Sequence, residues 1–364
     1  MKIALLANLK ENAPQAEGVT EDFWDDLDGR ETVDSILDAL KAGGHTAEFM
    51  EASLLPPHSL LAKLGSFSPD LCFNIAEGHF GDGREAHIPA VLEMLRLPYT
   101  GSRVMTLALA LDKPMTKRLL HYHDLPTPEF QVFGSPDEPI NEDLLEGEEL
   151  RFPLFLKPSR EGTGMGVTGR SIVNTLSDLR DRLEEMLVRY RQPVLCERFV
   201  DGREVTVGVA GNLKPTAARR LNDRTAPSVL PEELTFFPPM EIDTNKYPES
   251  EGGIYTNRIK VELVHDFYYT CPAGLDDETV DTLFRLTAAV FRVAGCCDVA
   301  RVDFRIDREN GDIPYILEVN PLPGLNPEYS DLCIEARACG WEYTRLINHI
   351  VDLASERNRR REPY

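Results

Sequence analysis

The sequence predicts an α/β fold divided among more than one domain. Three observations carry that expectation. The first 76 residues alternate short apolar runs with a helix-like segment, the βαβ pattern of a parallel sheet covered by helices. The chain has 364 residues, 42% of them hydrophobic, which exceeds what one hydrophobic core usually fills. Near the C-terminal end, two alternating runs flank Asn310-Gly311, the signature of an antiparallel hairpin.

The elements follow in order. MKIALLAN is a short apolar run and reads as the first strand. The acidic stretch Glu11 to Glu31 reads as a loop or a helical excursion. ETVDSILDAL has helical periodicity and should stop at Gly43-Gly44. HTAEFMEA and PDLCFNIA read as the second and third strands, and AHIPAVLEMLR as a helix before the loop LPYTGS. VMTLALALDKPMTKRLLHYH reads as one helix, followed by a Pro-containing turn and the strand EFQVF. Residues 134–149 carry seven acids and turn formers and read as a solvated loop with one helical turn at most. FPLFLKP is a strand leading into a glycine-rich loop, residues 176–190 a helix, and QPVLCERFV another strand. REVTVGVAGN, the helix Asp277 to Ala294, the strands ARVDFRID and PYILEVN, and the helix TRLINHIVDLAS complete the chain before a charged, frayed end. Three units are expected: 1–101, an N-terminal α/β domain; 102–196, a central subdomain; and 197–364, a C-terminal domain.

Composition narrows the function. Lys and Arg number 39 against 61 Asp and Glu, a formal net charge of -22 with a pI of about 4.8. Such acidity argues against nucleic-acid binding and against a polybasic membrane surface. It is unevenly spread: the three units carry net charges of -10, -3 and -9, and the central one is +4 once residues 137–149 are set aside. The opening apolar run is too short for a secretory signal, and no stretch is long and apolar enough to span a membrane. The seven cysteines are odd in number and form no CxxC pair, which points to free thiols in a reducing cytoplasm.

Four motifs carry chemistry. In RVDFRID…ILEVNPLPG, two antiparallel strands would bring Asp303 opposite Glu318, with Asn320 on the same face as Glu318. Two carboxylates and an amide oxygen on one face suit Mg²⁺, and a cation between the acids relieves their repulsion. The loop Lys157-Pro158-Ser159-Arg160-Glu161-Gly162-Thr163-Gly164-Met165-Gly166 sets a lysine at a strand end before three glycines, whose backbone N–H groups can meet phosphate oxygens. It is not a Walker loop, because no GK[ST] closes it. VLCERFVDGREVTV places Glu197 at a strand end beside an apolar pair, suited to a sugar hydroxyl or a base amine. Lys113 and Lys117 stand four residues apart on a helix, where lysines are ordinarily solvated.

These motifs, in this order, resemble the ATP-grasp superfamily and, within it, the D-alanine–D-alanine ligases. FNIAEGHFGDGREAHIPAVLEMLRLPYTGS, LDKPMTK, FPLFLKPSREGTGMGV, YTCPAGL and NPLPGLNP are all similar to that family, and the likeness spans nearly the whole chain. It implies a three-domain ATP-grasp fold and an ATP-dependent, ADP-forming ligase that makes a C–N bond through an acyl phosphate. By the same resemblance, Lys113 and Lys157 would hold the ATP phosphates, and Glu197, Phe199, Val200 and Glu204 would line the adenine and ribose site. Asp303, Glu318 and Asn320 would bind two Mg²⁺ ions, for which Mn²⁺ could stand in. Arg301 and the Gly324 amide would stabilise the oxyanion of a tetrahedral intermediate. Lys260 lies in a segment resembling the family's loop over the phosphates, and a homodimer is implied by the likeness alone.

The chain also departs from the family. The N-terminal glycine-rich segment with its serine-glutamate signature is replaced by NLKENAPQAEG. Thr163-Gly164 stands where two serines are usual, and Val261 follows Lys260 where a tyrosine is typical. LNPEYSDL follows where a serine-leucine pair would hold the second substrate, leaving Tyr329 or Ser330 for that task. Glu77 and Glu85 fall in the segment facing the first substrate, and either could pair with an amine. Three functions therefore stay open: a D-alanine–D-alanine ligase, a ligase of the same mechanism acting on other amino acids or a specialised metabolite, and a non-catalytic ATP-binding regulator.

Overall fold

Strand β1 (Lys2–Ala7) is central in a parallel sheet of order β2-β1-β3, in which β2 is Thr46–Glu51 and β3 is Leu71–Asn74. In this computed structural model, residues 1–141, 150–214, 227, 229–248, 252–261 and 268–359 are described. β1 reads as a continuous apolar run because both its faces are covered. Ile3 and Leu5 enter one core with helix α1 (Arg30–Ala42). Ala4 and Leu6 enter another with α2 (Leu60–Phe67) and α3 (His87–Met94). α2 is not foreseen from sequence; it is eight residues long and buries only Leu60 and Leu64.

The helix expected over 104–123 is in fact two, α4 (Val104–Leu111) and α5 (Lys113–Tyr122). Asp112 has an extended backbone and its carboxylate caps α5, accepting the Met115 N–H at 3.0 Å, while Pro114 occupies the first turn. The break points Lys113 out of the first helix and into the cleft described below. An antiparallel sheet follows, of order β4-β7-β5-β6: β4 (Phe130–Phe133), β5 (Leu154–Pro158), β6 (Ile172–Val173) and β7 (Val194–Arg198). Helix α6 (Leu176–Tyr190) packs Leu179, Leu183 and Met186 on it. The expected 196/197 domain boundary falls inside β7. Most of the acidic loop, residues 142–149, lies outside the described residues.

The largest sheet is antiparallel, of order β11-β10-β8-β12-β13 with β9 on β8. Its strands are β8 (Gly202–Gly211), β9 (Leu234–Phe236), β10 (Met240–Ile242), β11 (Tyr269–Thr270), β12 (Asp298–Asp307) and β13 (Ile313–Asn320). The helices here are α7 (Asn257–Val261), α8 (Asp277–Ala294), α9 (Asp331–Ala338) and α10 (Tyr343–Arg359). α8 has its expected ends: the Asp276 carboxylate caps it, and Gly295 closes it at φ +72°.

Of the end expected to fray, Glu356 to Arg359 continue a helix, and residues 360–364 lie outside the described residues. Helix α10 runs to Arg359, and Arg357 is a tie point. Its guanidinium donates to both Asp298 carboxylate oxygens, at 3.0 and 2.7 Å, and to the carbonyls of Tyr99 and Gly101 at 2.9 and 3.2 Å. The chain's two ends therefore share one core, in which Val33, Ile36 and Leu40 of α1 meet Leu346, Ile347 and Ile350 of α10. Ile347→Ala should cost about 2–4 kcal/mol of stability through lost burial and a residual cavity. Chemical denaturation measures that cost, and a cost below about 1 kcal/mol would show that α10 does not hold the N-terminal sheet in place.

Candidate active site

The site is built outward from the β12–β13 hairpin. Cross-strand register pairs Asp303 with Glu318 and Arg301 with Asn320. Arg301 grips Asp303 with two nitrogens, at 2.8 and 2.9 Å, and reaches Asp331 at 3.2 Å. Asn320 donates its side-chain amide to Asp303 at 2.9 Å, and Thr206 donates its hydroxyl to the other oxygen at 2.7 Å. The Lys113 ammonium stands 3.5 Å from Glu318 and donates to the Glu161 carbonyl. Burial alone would push the Glu318 carboxyl up; the ammoniums of Lys113, Lys157 and Lys260 and the Arg301 guanidinium overcome it and hold it well below the usual range.

Asp303, Glu318 and the Asn320 amide form a hard-oxygen donor set on one strand pair. This fits Mg²⁺, which is usually held by one or two carboxylates while phosphates and waters complete its shell. Among the described residues no three carboxylates, histidines or cysteines converge into a self-contained cage. That pattern suits an ion whose shell is shared with a nucleotide.

At the other side of the cleft the ordinary expectation for a helical lysine fails. Lys117 is 1% exposed and joins Lys157 in clamping Glu197, with contacts of 2.6 Å to one oxygen and 2.8 Å to the other. Lys117 also donates to the Thr127 hydroxyl at 2.8 Å. Burial would raise the Glu197 carboxyl, but the two ammoniums beside it lower it. Phe199 lies under the Arg305 guanidinium at 5.1 Å from its ring centroid, and Arg305 donates to Glu204 at 2.9 Å and to the Val200 carbonyl at 3.1 Å. Sequence reasoning gave Arg305 and Lys117 no role, although both stand inside the quoted motifs.

Lys157, Glu197, Phe199, Val200 and Glu204 line a cavity of about 100 Å³ that opens into a second of about 620 Å³. Lys113, Gly162, Tyr255, Lys260, Glu318 and Asp331 line both, so the two form one continuous cleft. The Lys260 ammonium sits 4.5 Å from the centroid of the Tyr255 ring. Arg301, Thr163, Gly324, Tyr329 and Ser330 face the larger part, together with Glu77 and Glu85. Gly324 is glycine for a local reason: a Cβ there would come within 2.9 Å of the Ser330 hydroxyl. That hydroxyl instead accepts the Asn326 N–H at 2.9 Å. Asp331, which no motif signalled, opens helix α9 and braces Arg301 from behind.

The acidic N-terminal stretch is part of this wall. Asp22 accepts from the Gly166 N–H at 3.3 Å and from the Tyr190 hydroxyl at 2.9 Å. Arg84 joins Asp26 and Glu161, each at 3.0 Å, and Asn257 joins Asp25 and the Thr163 carbonyl at 3.3 and 3.2 Å. The stretch therefore ties the glycine-rich loop and α7 to the N-terminal sheet.

Burial, with Glu85, Asp26 and Asp28 nearby, pushes the Glu77 carboxyl well above its usual range. Burial raises Asp28 to about 7, and raises Glu85 to about 7 against the opposing pull of Arg84. At Glu85 the folded protein thus holds a proton that the unfolded chain releases near 4.5. That share of stability is complete below 4.5 and is lost as the pH rises through about 7. Glu85→Gln should flatten this fall and, in ligand-free protein at pH 8, raise stability by about 1–2 kcal/mol. Thermal unfolding from pH 5 to 8 would reveal it, and an unchanged slope would count against the assignment. For the clamp, Glu197→Gln strands two buried ammoniums and should cost about 3–5 kcal/mol, whereas Lys117→Met leaves the Lys157–Glu197 pair and should cost less. Urea denaturation of both variants orders the two costs.

Comparisons with known proteins agree with this geometry. A family model described as "D-ala D-ala ligase C-terminus" matches residues 119–352. A D-alanine–D-alanine ligase of Methylibium petroleiphilum is 33% identical over 88% of this chain and 89% of its own length. One from Bordetella parapertussis is 34% identical over 81% of each. An uncharacterised protein of Sinorhizobium fredii is 31% identical over 89% of this chain and 87% of its own length. The crystal structure of the Bacillus anthracis D-alanine–D-alanine ligase complexed with ATP covers 99% of both chains with a TM-score of 0.69 at 20% identity, a likeness of fold. The chain therefore belongs to the D-alanine–D-alanine ligase family of ATP-grasp enzymes, whose members form C–N bonds at the expense of ATP.

Proposed function

We propose that this chain joins a carboxylate to an amine, with ATP converting the carboxylate into an acyl phosphate. The observation that carries the reading is the continuity of the cleft: buried lysines at one end, an acid-lined cavity at the other, and Glu318 lining both, with Asp303 paired to it across the strands. In the first step a carboxylate oxygen attacks the γ-phosphorus, the bond to the β-phosphate oxygen breaks, and ADP leaves. In the second an amine nitrogen attacks the acyl carbon, the C–O bond to phosphate breaks, and phosphate and a proton depart.

The chain's own residues take these roles. Glu197, Phe199, Val200 and Glu204 receive the adenine and ribose, and Lys113 and Lys157 neutralise phosphate oxygens. Asp303, Glu318 and Asn320 would hold Mg²⁺, which supplies charge neutralisation at the phosphates when bound. Arg301 and the Gly324 N–H stabilise the oxyanion formed at the acyl carbon, with Asp331 holding Arg301 in place. Thr163 and Lys260 close the cleft and keep water from the acyl phosphate. Glu77, Glu85, Tyr329 and Ser330 contact the substrates. The three-unit division is part of this reading, with the second boundary moved to residues 199–201, between β7 and β8. No helix among the described residues is long and apolar enough to cross a membrane. A cytoplasmic site of action is in keeping with an odd number of cysteines that form no CxxC pair.

ADP and phosphate release with ATP, Mg²⁺ and a panel of D- and L-amino acids tests the reading. Amino-acid-dependent release is expected, with D-alanine the first candidate because of the relatives' names. ATP binding without any such release would favour a non-catalytic nucleotide-binding protein instead. Glu318→Gln should lower turnover at least about 100-fold, in the range for loss of a charge-stabilising group, and near-normal turnover in that variant would sink the assigned role.

A further inference from the structure

The two ends of the cleft treat charge differently. At the nucleotide end each carboxylate has a cation in contact: Glu197 with Lys117 and Lys157, Glu318 with Lys113, Asp303 with Arg301, Glu204 with Arg305. At the far end Asp28, Glu77 and Glu85 line the larger cavity, and none has an ion-pair partner among the described residues. The nearby cations are already engaged. Lys10 holds Asp25 at 2.7 Å, Arg84 holds Asp26 and Glu161 at 3.0 Å each, and Lys260 lies over Tyr255. Of the ionisable side chains facing this cavity, nine are carboxylates and four are basic.

Three carboxylates taken partly out of water without a cation are costly, and they invite one. A metal ion is not the matching guest, because among the described residues these acids do not converge to ligating distance. An ammonium pairs with carboxylates at hydrogen-bond distance rather than at the shorter metal–ligand distance, so it asks less of their convergence. An amino acid with one ammonium and one carboxylate brings no net charge to this wall of the cavity. An amino acid with a second, side-chain ammonium brings one positive charge. At about 620 Å³ the cavity is also roomy, within the span of roughly 300–1,000 Å³ seen for drug-sized ligands.

We infer that the amino-acid substrate lying against this wall is a diamino acid, whose side-chain ammonium is held by the carboxylates of Asp28, Glu77 and Glu85. The inference rests on the ligase reading and names its substrate class. The raised carboxyls of these three residues accord with it, since a bound ammonium would draw each into its charged form.

Ornithine and norvaline make a matched pair of probes, alike except for the side-chain amine. Alanine and 2,4-diaminobutyrate extend the comparison, each in D and L forms. Calorimetric titration of the full chain with Mg²⁺ and a non-hydrolysable ATP analogue should show a diamino acid binding at least about tenfold tighter than its uncharged counterpart, a difference of about 1.4 kcal/mol. Glu85→Gln and Glu77→Gln should each shrink that ratio to below about threefold, by loss of the same increment. The wild-type ratio needs no variant to fold. Equal or tighter binding of norvaline or alanine overturns the inference, and so does competition of the diamino acid by Ca²⁺ at this wall. Parallel ADP-release assays separate the two readings. Alanine-dependent release without diamino-acid preference sinks the inference and leaves the ligase. Diamino-acid binding without release from any amino acid supports the inference about the cavity and sinks the ligase.

Discussion

The register of β12 against β13 is the constraint on which the site depends. Asp303 and Glu318 are 15 positions apart in sequence, and only their cross-strand pairing sets them side by side. The register shifts just after this pair: Phe304 faces Ile316, so Leu317 is the extra residue of a bulge. A bulge re-aims a side chain without ending the strand. Here Leu317 lines the nucleotide end of the cleft while Ile316 and Phe304 stay in the core. A slip by one residue would exchange the carboxylates for core side chains, so packing and chemistry specify the same register.

Around that hairpin, neighbouring elements supply cations to desolvated acids. α4 and α5 part at Asp112, which releases Lys113 toward Glu318. β5 and α5 send Lys157 and Lys117 to opposite oxygens of Glu197, and α9 sends Asp331 to Arg301. These are coupled placements. Removing one acid leaves lysines opposed in a poorly solvated site, so the cost depends on which partner remains rather than on the number of ion pairs. The formal charge of -22 says little about this, because the acids around this hairpin are individually matched.

Most of the fold was legible in the sequence because its elements follow simple periods. β1, α1, α8 and the β12–β13 hairpin carry clean apolar patterns and orthodox ends. What escaped was decided by tertiary contact. The break between α4 and α5 hangs on one capping carboxylate within an unbroken helical pattern. α9 mixes acids and a basic residue with apolar ones, yet Asp331, Leu332, Cys333, Ile334, Glu335 and Ala336 are all buried, so it shows no amphipathic stripe. Lys117 is buried because Glu197, 80 positions away, needs a second cation. Arg357 is ordered because Asp298 and two carbonyls before α4 converge on it. The four motifs lay in sequence near the residues that now face the cleft, but Arg84 and Asp26, which shape the far wall, belong to stretches without a periodic signal.

If the cleft takes ATP at one end and an amino acid at the other, as proposed, the difference between its two ends follows from what each must do. A nucleotide arrives with fixed chemistry, so its end benefits from side chains already held in place, whose reorganisation would otherwise be charged against binding. Paired charges hold Lys157, Glu197, Arg305 and Glu204 there before any ligand arrives. A substrate end selects among similar small molecules, and selection is a difference between affinities. Carboxylates left without cations penalise every guest that fails to supply one, so they reject by the cost of leaving buried charge unmatched rather than by shape alone. The N-terminal acidic stretch connects the two ends, since Asp22 accepts from the Gly166 N–H and Asp26 shares Arg84 with Glu161, while Asp28 faces the larger cavity. The acidic wall and the glycine-rich loop thereby meet on one seven-residue span, Asp22 to Asp28.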